Sequence, residues 1–318
     1  MIVGYHASHE QFGPDLLRDC VIAAERAGFD AAMCSDHLAP WGARQGESGF
    51  AWAWLGAVLQ ATSLPLGVVT APGYRYHPAV IAQAVATVEL MFPGRFWAAL
   101  GSGEAVNEHV TALPWPAKPD RDRAWEATAR SIRELLRGQV VTALDPPRID
   151  RARVWSLPPS PPPLLAAAVS PATAARAAGW ADGLITVAPQ PDPPERVLAA
   201  FRDAGGRGRA VLQVHVCLAE SESLALAAAR DQWRHSAVSA DRVWDLALPE
   251  EFDAHPAPDD DALRSAVVID TDAGRLAERI LDLARGFDEV QLHQVARDQL
   301  AFIDRAGSDL LPALRSAA

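Results

Sequence analysis

The chain has 318 residues, 29 basic and 40 acidic side chains, and a formal net charge of −11, with 49% hydrophobic and 22% charged residues. That is the composition of a globular protein long enough to bury a large core, and its acidic balance excludes a general affinity for nucleic acid or an anionic membrane. The N-terminus MIVGYHASHEQ has no leader-like pattern, no run of 18 apolar residues occurs, and Cys20, Cys34 and Cys217 form no CxxC pair, so a cytoplasmic setting without disulfides or bound metal is expected.

Short apolar runs alternate with Ala/Leu/Arg-rich stretches of helical length along the sequence. The predicted strands are IVGYH (2–6), AAMCSD (31–36), LGVVTA (66–71), FWAALGSG (96–103), PLLAAAV (163–169), DGLITVA (182–188), AVLQVHVCL (210–218) and EVQLHQV (289–295). Helices are predicted near 14–28, 50–62, 78–93, 121–137, 171–180, 193–204, 221–236, 274–286 and 296–315. Eight strands, each followed by helical sequence, predict parallel βαβ units, and the number eight favours a closed (β/α)8 TIM barrel over an open sheet. Two stretches break the alternation: the Pro-rich 139–163 and the acidic, weakly periodic 237–273. They read as loop insertions within one domain covering 1–318, because the strand count is incomplete without the sequence beyond them.

In such a barrel, chemistry gathers where strands end and the following loops begin. His6 follows the first predicted strand, Asp36 and His37 the second, and Gly101-Ser102-Gly103-Glu104 the fourth, while His215 and His293 lie in the seventh and eighth. His6-Ala7-Ser8-His9 has the wrong spacing for a metal hydrolase, and no GxSxG surrounds Ser35. Lys118 is the only lysine and lies in LPWPAKPD, which disfavours Schiff-base chemistry. Gly101-Ser102-Gly103 alone is a weak phosphate-loop signal. Trp41, in the polar loop APWGARQGESG, is suited to wall a flat conjugated ligand, whereas Trp97, Trp180, Trp233 and Trp244 read as core.

Four strings in order, GYHASHEQF, CSDHLAPW, TAPGYRYHPAVIAQA and ALGSGEAVNEH, resemble the luciferase-like flavin and deazaflavin oxidoreductases. They are most similar to the branch containing coenzyme F420-dependent glucose-6-phosphate dehydrogenase, and to a subgroup of it read as using FMN. The resemblance implies a (β/α)8 barrel, usually a homodimer, that binds F420 or FMN and a small-molecule substrate. It implies that His37 moves a proton beneath the ring, Glu104 acts as acid or base, Glu10 tunes His37 and Trp41 faces substrate or ring. Cofactor contacts are implied for Asp36, Gly101, Ser102, Gly103, Glu104, Asn107, Ala167, Val169, Ser170 and Pro171, and for Val68–Val69, where the family carries a non-prolyl cis peptide. His6, Trp41, Thr186, His215 and His293 are assigned to the substrate pocket.

Two departures accompany this likeness. Gln190 stands where sugar-phosphate-oxidising relatives carry a phosphate-clamping lysine, and Lys118 comes too early in the chain to replace it, so glucose 6-phosphate is not the expected substrate. Val169-Ser170-Pro171 replaces the Gly-Gly-Pro of the cofactor-phosphate loop, although backbone N–H groups at the following helix start suit a phosphate. Hydride transfer is the leading reading. An FMN-dependent monooxygenase and a non-catalytic flavin-binding barrel stand as alternatives.

Overall fold

A computed structural model of the chain describes residues 1–316. Its strands are β1 (Ile2–Ala7), β2 (Ala31–Ser35), β3 (Leu66–Thr70), β4 (Phe96–Leu100), β5 (Val141–Ala143), β6 (Ile149–Ala152), β7 (Leu164–Ala167), β8 (Gly183–Ala188), β9 (Arg209–Leu218), β10 (Val268–Asp270) and β11 (Glu289–Gln294). Eight of them pair in parallel around a closed ring, β1-β2-β3-β4-β7-β8-β9-β11 and back to β1. This is a (β/α)8 barrel. Strands covered by helices outside and side chains inside are buried on both faces, which is why they read as near-continuous apolar runs.

Period-two alternation decides what each strand position meets. Tyr5, Cys34, Val68, Leu100, Ala166, Val214 and Leu292 join the core between barrel and helices, a cluster that runs from Val3 to Leu314. The intervening positions point inward, where Met33, Trp97, Ala99, Leu165, Ile185 and Val211 plug the barrel. Gly67 makes the plug possible, since a Cβ there would stand 2.0 Å from the Trp97 ring.

The interruptions have more structure than their sequence suggests. Within 139–163, β5 and β6 form an antiparallel hairpin held by buried Val141 and Ile149. Within 237–273 lie the helices Pro249–Asp253 and Asp260–Ala266 and then β10, which lengthens the sheet beside the far end of β9. The helix predicted over 296–315 starts at Gln299 and carries a π-turn at Ala306–Leu310. There Gly307 sits so close to the helix Pro14–Ala27 that a Cβ would lie 2.9 Å from the Ala27 carbonyl oxygen.

Gly208, just before β9, gives a stability prediction. Its φ is +80°, and a Cβ would lie 2.0 Å from the Asp182 carbonyl oxygen, a backbone atom that cannot swing aside. Gly208→Ala is therefore expected to destabilise the fold by about 3 kcal/mol, measured by urea unfolding. An unchanged midpoint would show that the β8–β9 junction relaxes freely.

Candidate active site

The inward positions above the plug open into a cavity of about 1370 Å³ at the C-terminal ends of the strands. Val69, Gly101 and Ala167 give it a floor of small side chains, and His6, Gln213, His215 and His293 one flank. His37, Trp41, Ser102, Gly103, Glu104, Val169, Ser170 and Thr186 also line it, so residues far apart in sequence converge on one space.

His37 stands between two carboxylates. Its Nε2 is 3.2 Å from Glu10 Oε1 and 3.7 Å from Glu104 Oε2. Glu10 Oε2 accepts from Ser8 Oγ at 2.9 Å and Ser35 Oγ at 2.6 Å. Burial pushes the Glu10 carboxyl upward, but His37, the Ser35 hydroxyl and His6 outweigh it and hold the group at about 2. For Glu104 burial prevails, helped by the negative charge of Glu10, and its pKa is raised despite His37, Arg75 and Asn107. Two carboxyls on one imidazole are thus driven apart, one kept ionised and one favoured as the acid. Asn107 fixes their spacing. Its Nδ2 donates to Glu104 Oε2 at 3.1 Å, and its Oδ1 accepts from the Leu38 and Ala39 amides, directly after His37. Both ends of the Asn107 amide are thus engaged by protein, in a residue that also lines the cavity.

Asp36 is placed differently from the expectation. Its side chain is 1% exposed, with Oδ2 accepting from Thr70 Oγ1 at 2.7 Å and Trp52 Nε1 at 3.1 Å. Oδ1 accepts from Tyr76 Oη at 3.1 Å and pairs with Arg75 Nη2 at 3.1 Å. Both oxygens have protein partners, so the carboxylate buttresses the strand end, although the residue also lines the cavity. Arg75 also donates to the Asp36 carbonyl and lies 3.5 Å from Glu108, whose carboxyl is pushed up to about 7 by burial against the pull of Arg75.

Aromatic side chains continue this histidine flank toward His37. The Trp41 ring lies 5.2 Å from His37 and stacks on His235 at 5.3 Å, and His235 leads to Trp233 at 4.7 Å. Trp233 contacts His215 at 4.5 Å and His293 at 5.0 Å, and His293 lies 4.4 Å from His6. Trp244 therefore lines the cavity instead of filling a core, Trp233 does both, and Trp97 and Trp180 are buried as expected. The 3-10 turn Arg234–Ala237 after the helix Glu222–Gln232 turns this segment over the mouth. It is pinned there because Ala105 N donates to Trp244 O at 3.0 Å, and Asp245 accepts from Trp115 at 2.9 Å and Arg121 at 3.0 Å.

Four further expectations need correction. Val68 faces the outer core and only Val69 lines the cavity. The cis peptides among the described residues are Pro146–Pro147 and Ala188–Pro189, and the Val68–Val69 bond is not one of them. In β3 these two residues pair regularly with β2 and β4, a ladder satisfied by trans geometry. Pro171 heads the helix Pro171–Ala177 but leaves the lining to Ser170 and Thr173, and Ser170 Oγ caps that helix by accepting from Thr173 N at 3.4 Å. Lys118, although early in sequence, reaches the cavity rim because the loop after β4 folds back over the mouth. Its Nζ lies 3.4 Å from Thr173 Oγ1.

Sequence reasoning missed His235, Gln213, Arg75 and the serines behind Glu10. Gln213 and His215 were accessible to it, being polar residues two apart in an otherwise apolar strand and hence on one face.

Comparison with known proteins agrees with this geometry. A model of the luciferase-like monooxygenase family matches residues 3–289. The F420-dependent glucose-6-phosphate dehydrogenase of Microbacterium testaceum (strain StLB037) is 35% identical over 330 residues, covering 98% of this chain and 97% of that protein. The enzyme of the same name from Mycolicibacterium smegmatis is 32% identical over 334 residues, covering 99% and 98%. An F420-dependent secondary alcohol dehydrogenase, solved with an F420–acetone adduct, has a TM-score of 0.88 at 28% identity over 99% of both chains. The coenzyme F420-dependent tetrahydromethanopterin reductase of Methanopyrus kandleri shares the fold, with a TM-score of 0.76 at 18% identity over 98% and 99%. With most of its length matched by the family model and almost all of it by these relatives, the chain belongs to the luciferase-like monooxygenase family.

Proposed function

We propose that this chain is an oxidoreductase that uses F420 or a flavin to exchange hydride with a small organic molecule other than glucose 6-phosphate. The observation that carries the reading is His37 held between Glu10 and Glu104, whose carboxyls are pushed in opposite directions. A barrel that merely bound a ring would have no use for this pair, so the arrangement disfavours the non-catalytic alternative.

The cavity fits such a ring. Its floor is narrow and apolar, and the buried Thr186 Oγ1, His6 Nδ1 and His215 Nδ1 have no partner within the described residues, which suits a ligand with polar edges. Val69, Gly101 and Ala167 would underlie the ring, with Ser170, Thr173 and Lys118 toward its phosphate. When bound, the ring supplies the hydride chemistry, and the protein supplies orientation and proton traffic. Ionised Glu10 orients the Nε2–H of His37, and Glu104 holds a proton and releases it. Trp41 and the 234–245 segment exclude water. A cytoplasmic setting, expected from cysteine usage, and a homodimer, expected from the resemblance, belong to the same proposal, and sedimentation checks the dimer.

The test is spectroscopic. The purified chain, titrated with oxidised F420 and with FMN, is expected to bind one of them with a shifted absorbance band and to reduce it in a single turnover with substrate. Failure to retain either ring overturns the reading. Glu104→Gln is expected to slow that step about 10²-fold. The wild-type rate should fall as pH rises through the raised Glu104 pKa, above the ordinary carboxylate range, and Glu104→Gln should remove that limb. A limb that survives assigns the proton to another group.

A further inference from the structure

The histidine flank of the cavity is tied together by hydrogen bonds that run one way. Gln232 gives its amide protons to Asp231 Oδ2 at 2.7 Å and Arg44 O at 3.4 Å, which leaves its Oε1 to accept from Gln11 Nε2 at 3.0 Å. The second Gln11 amide proton goes to the Val295 carbonyl at 3.0 Å, a group that only accepts. Gln11 Oε1 is therefore an acceptor, and it takes the Nε2–H of His293 at 2.7 Å. A neutral imidazole protonated on Nε2 has its lone pair on Nδ1, and this nitrogen faces Gln213 Nε2 at 3.4 Å. The same amide nitrogen reaches His215 Nε2 at 3.2 Å.

The lone pair on His293 Nδ1 thus claims one amide proton of Gln213, which fixes which way the amide is turned and leaves the other proton toward His215 Nε2. What remains is Gln213 Oε1, an acceptor without a protein partner among the described residues, on a half-buried side chain that lines the cavity. Burial keeps both rings neutral, with His215 pushed down to about 3 and His293 well below its ordinary value. Cations are scarce here. Lys118 and Arg121 are the lysine and arginine that line the cavity, and they are engaged by Asp122 and Asp245, while Glu10, Asp241 and Asp245 line it as well.

We propose that Gln213 determines specificity at the substrate end of the cavity, and that this end takes an uncharged alcohol whose O–H donates to Gln213 Oε1, in preference to a phosphorylated compound. The inference rests on the functional reading above in placing substrate and ring in one cavity.

Calorimetric titration with cyclohexanol, cyclohexanone and glucose 6-phosphate tests it, on the chain loaded with whichever ring it retains and again on the bare chain. Cyclohexanol can donate to an acceptor and cyclohexanone cannot. The wild type is expected to prefer the alcohol by about three- to tenfold, the worth of one neutral hydrogen bond, and to bind glucose 6-phosphate more weakly than either. Gln213→Met should abolish the preference. Gln11→Met should do the same from outside the cavity, because a freed His293 no longer fixes the Gln213 amide, and this variant decides the matter if Gln213→Met fails to fold. A preference that survives in a folded variant, or tighter wild-type binding of glucose 6-phosphate than of cyclohexanol, overturns the proposal. Loss of ring binding alone would instead refute the functional reading, since the bare-chain titration still reports on Gln213.

Discussion

His37→Ala is expected to lower the single-turnover rate of cofactor reduction by about 10²–10⁴-fold, the range for removal of an acid/base group. The imidazole pairs with both Glu10 and Glu104, so its loss severs them and leaves Glu10 without its largest stabilising partner. Cofactor affinity should change far less, because Val69, Gly101 and Ala167 beneath the ring are untouched. Absorbance-monitored reduction beside a binding titration separates the two effects. A wild-type rate in the variant would reduce His37 to packing and assign the proton to Glu104 alone.

Stability is expected to fall with acid well before ordinary carboxylates titrate. Burial lowers His6 to about 4, His215 to about 3 and His293 well below its ordinary value, and these rings pack together. In the unfolded chain each titrates near 6.5. Folded pKa values below the unfolded ones mean that the unfolded state takes up protons first as pH drops. The stability is fully present above about 6.5 and is lost as pH falls toward the folded values. For His6 alone the loss by pH 4 is on the order of 3 kcal/mol. Glu10, held at about 2, adds a further loss below about 4.5. Urea midpoints measured from pH 7.5 down to 4.5 should decline steadily, and His6→Gln should flatten the slope. A flat wild-type profile would show that the histidines are solvated and take up protons in the folded state as readily as in the unfolded chain.

The barrel was legible because each of its strands is buried on both faces and so appears as an apolar run. β10, with three residues, is too short to show a period, and the β5–β6 hairpin hides among prolines. Site residues at strand ends were found by position and by resemblance, but the directions of their side chains were not. Asp36 and His37 are neighbours in a loop, where no period dictates orientation, and Trp52, Thr70, Arg75 and Tyr76 decide how the aspartate is held. Gln11 and His293 are 282 positions apart, and nothing local in either segment announces their bond. His235 lies in a stretch with little periodicity and gains its place only when the turn after Trp233 lays it on Trp41.

The position of Lys118 has a practical consequence. The sequence holds a single ε-amino group, and it stands half-exposed, at 47%, on the rim of the cavity. An amine-reactive dye, used at a pH where the less basic α-amino group has been blocked first, would mark every molecule at one place, the doorway. Its emission would then report arrivals and departures of ring and substrate in a chain that otherwise needs no engineered label.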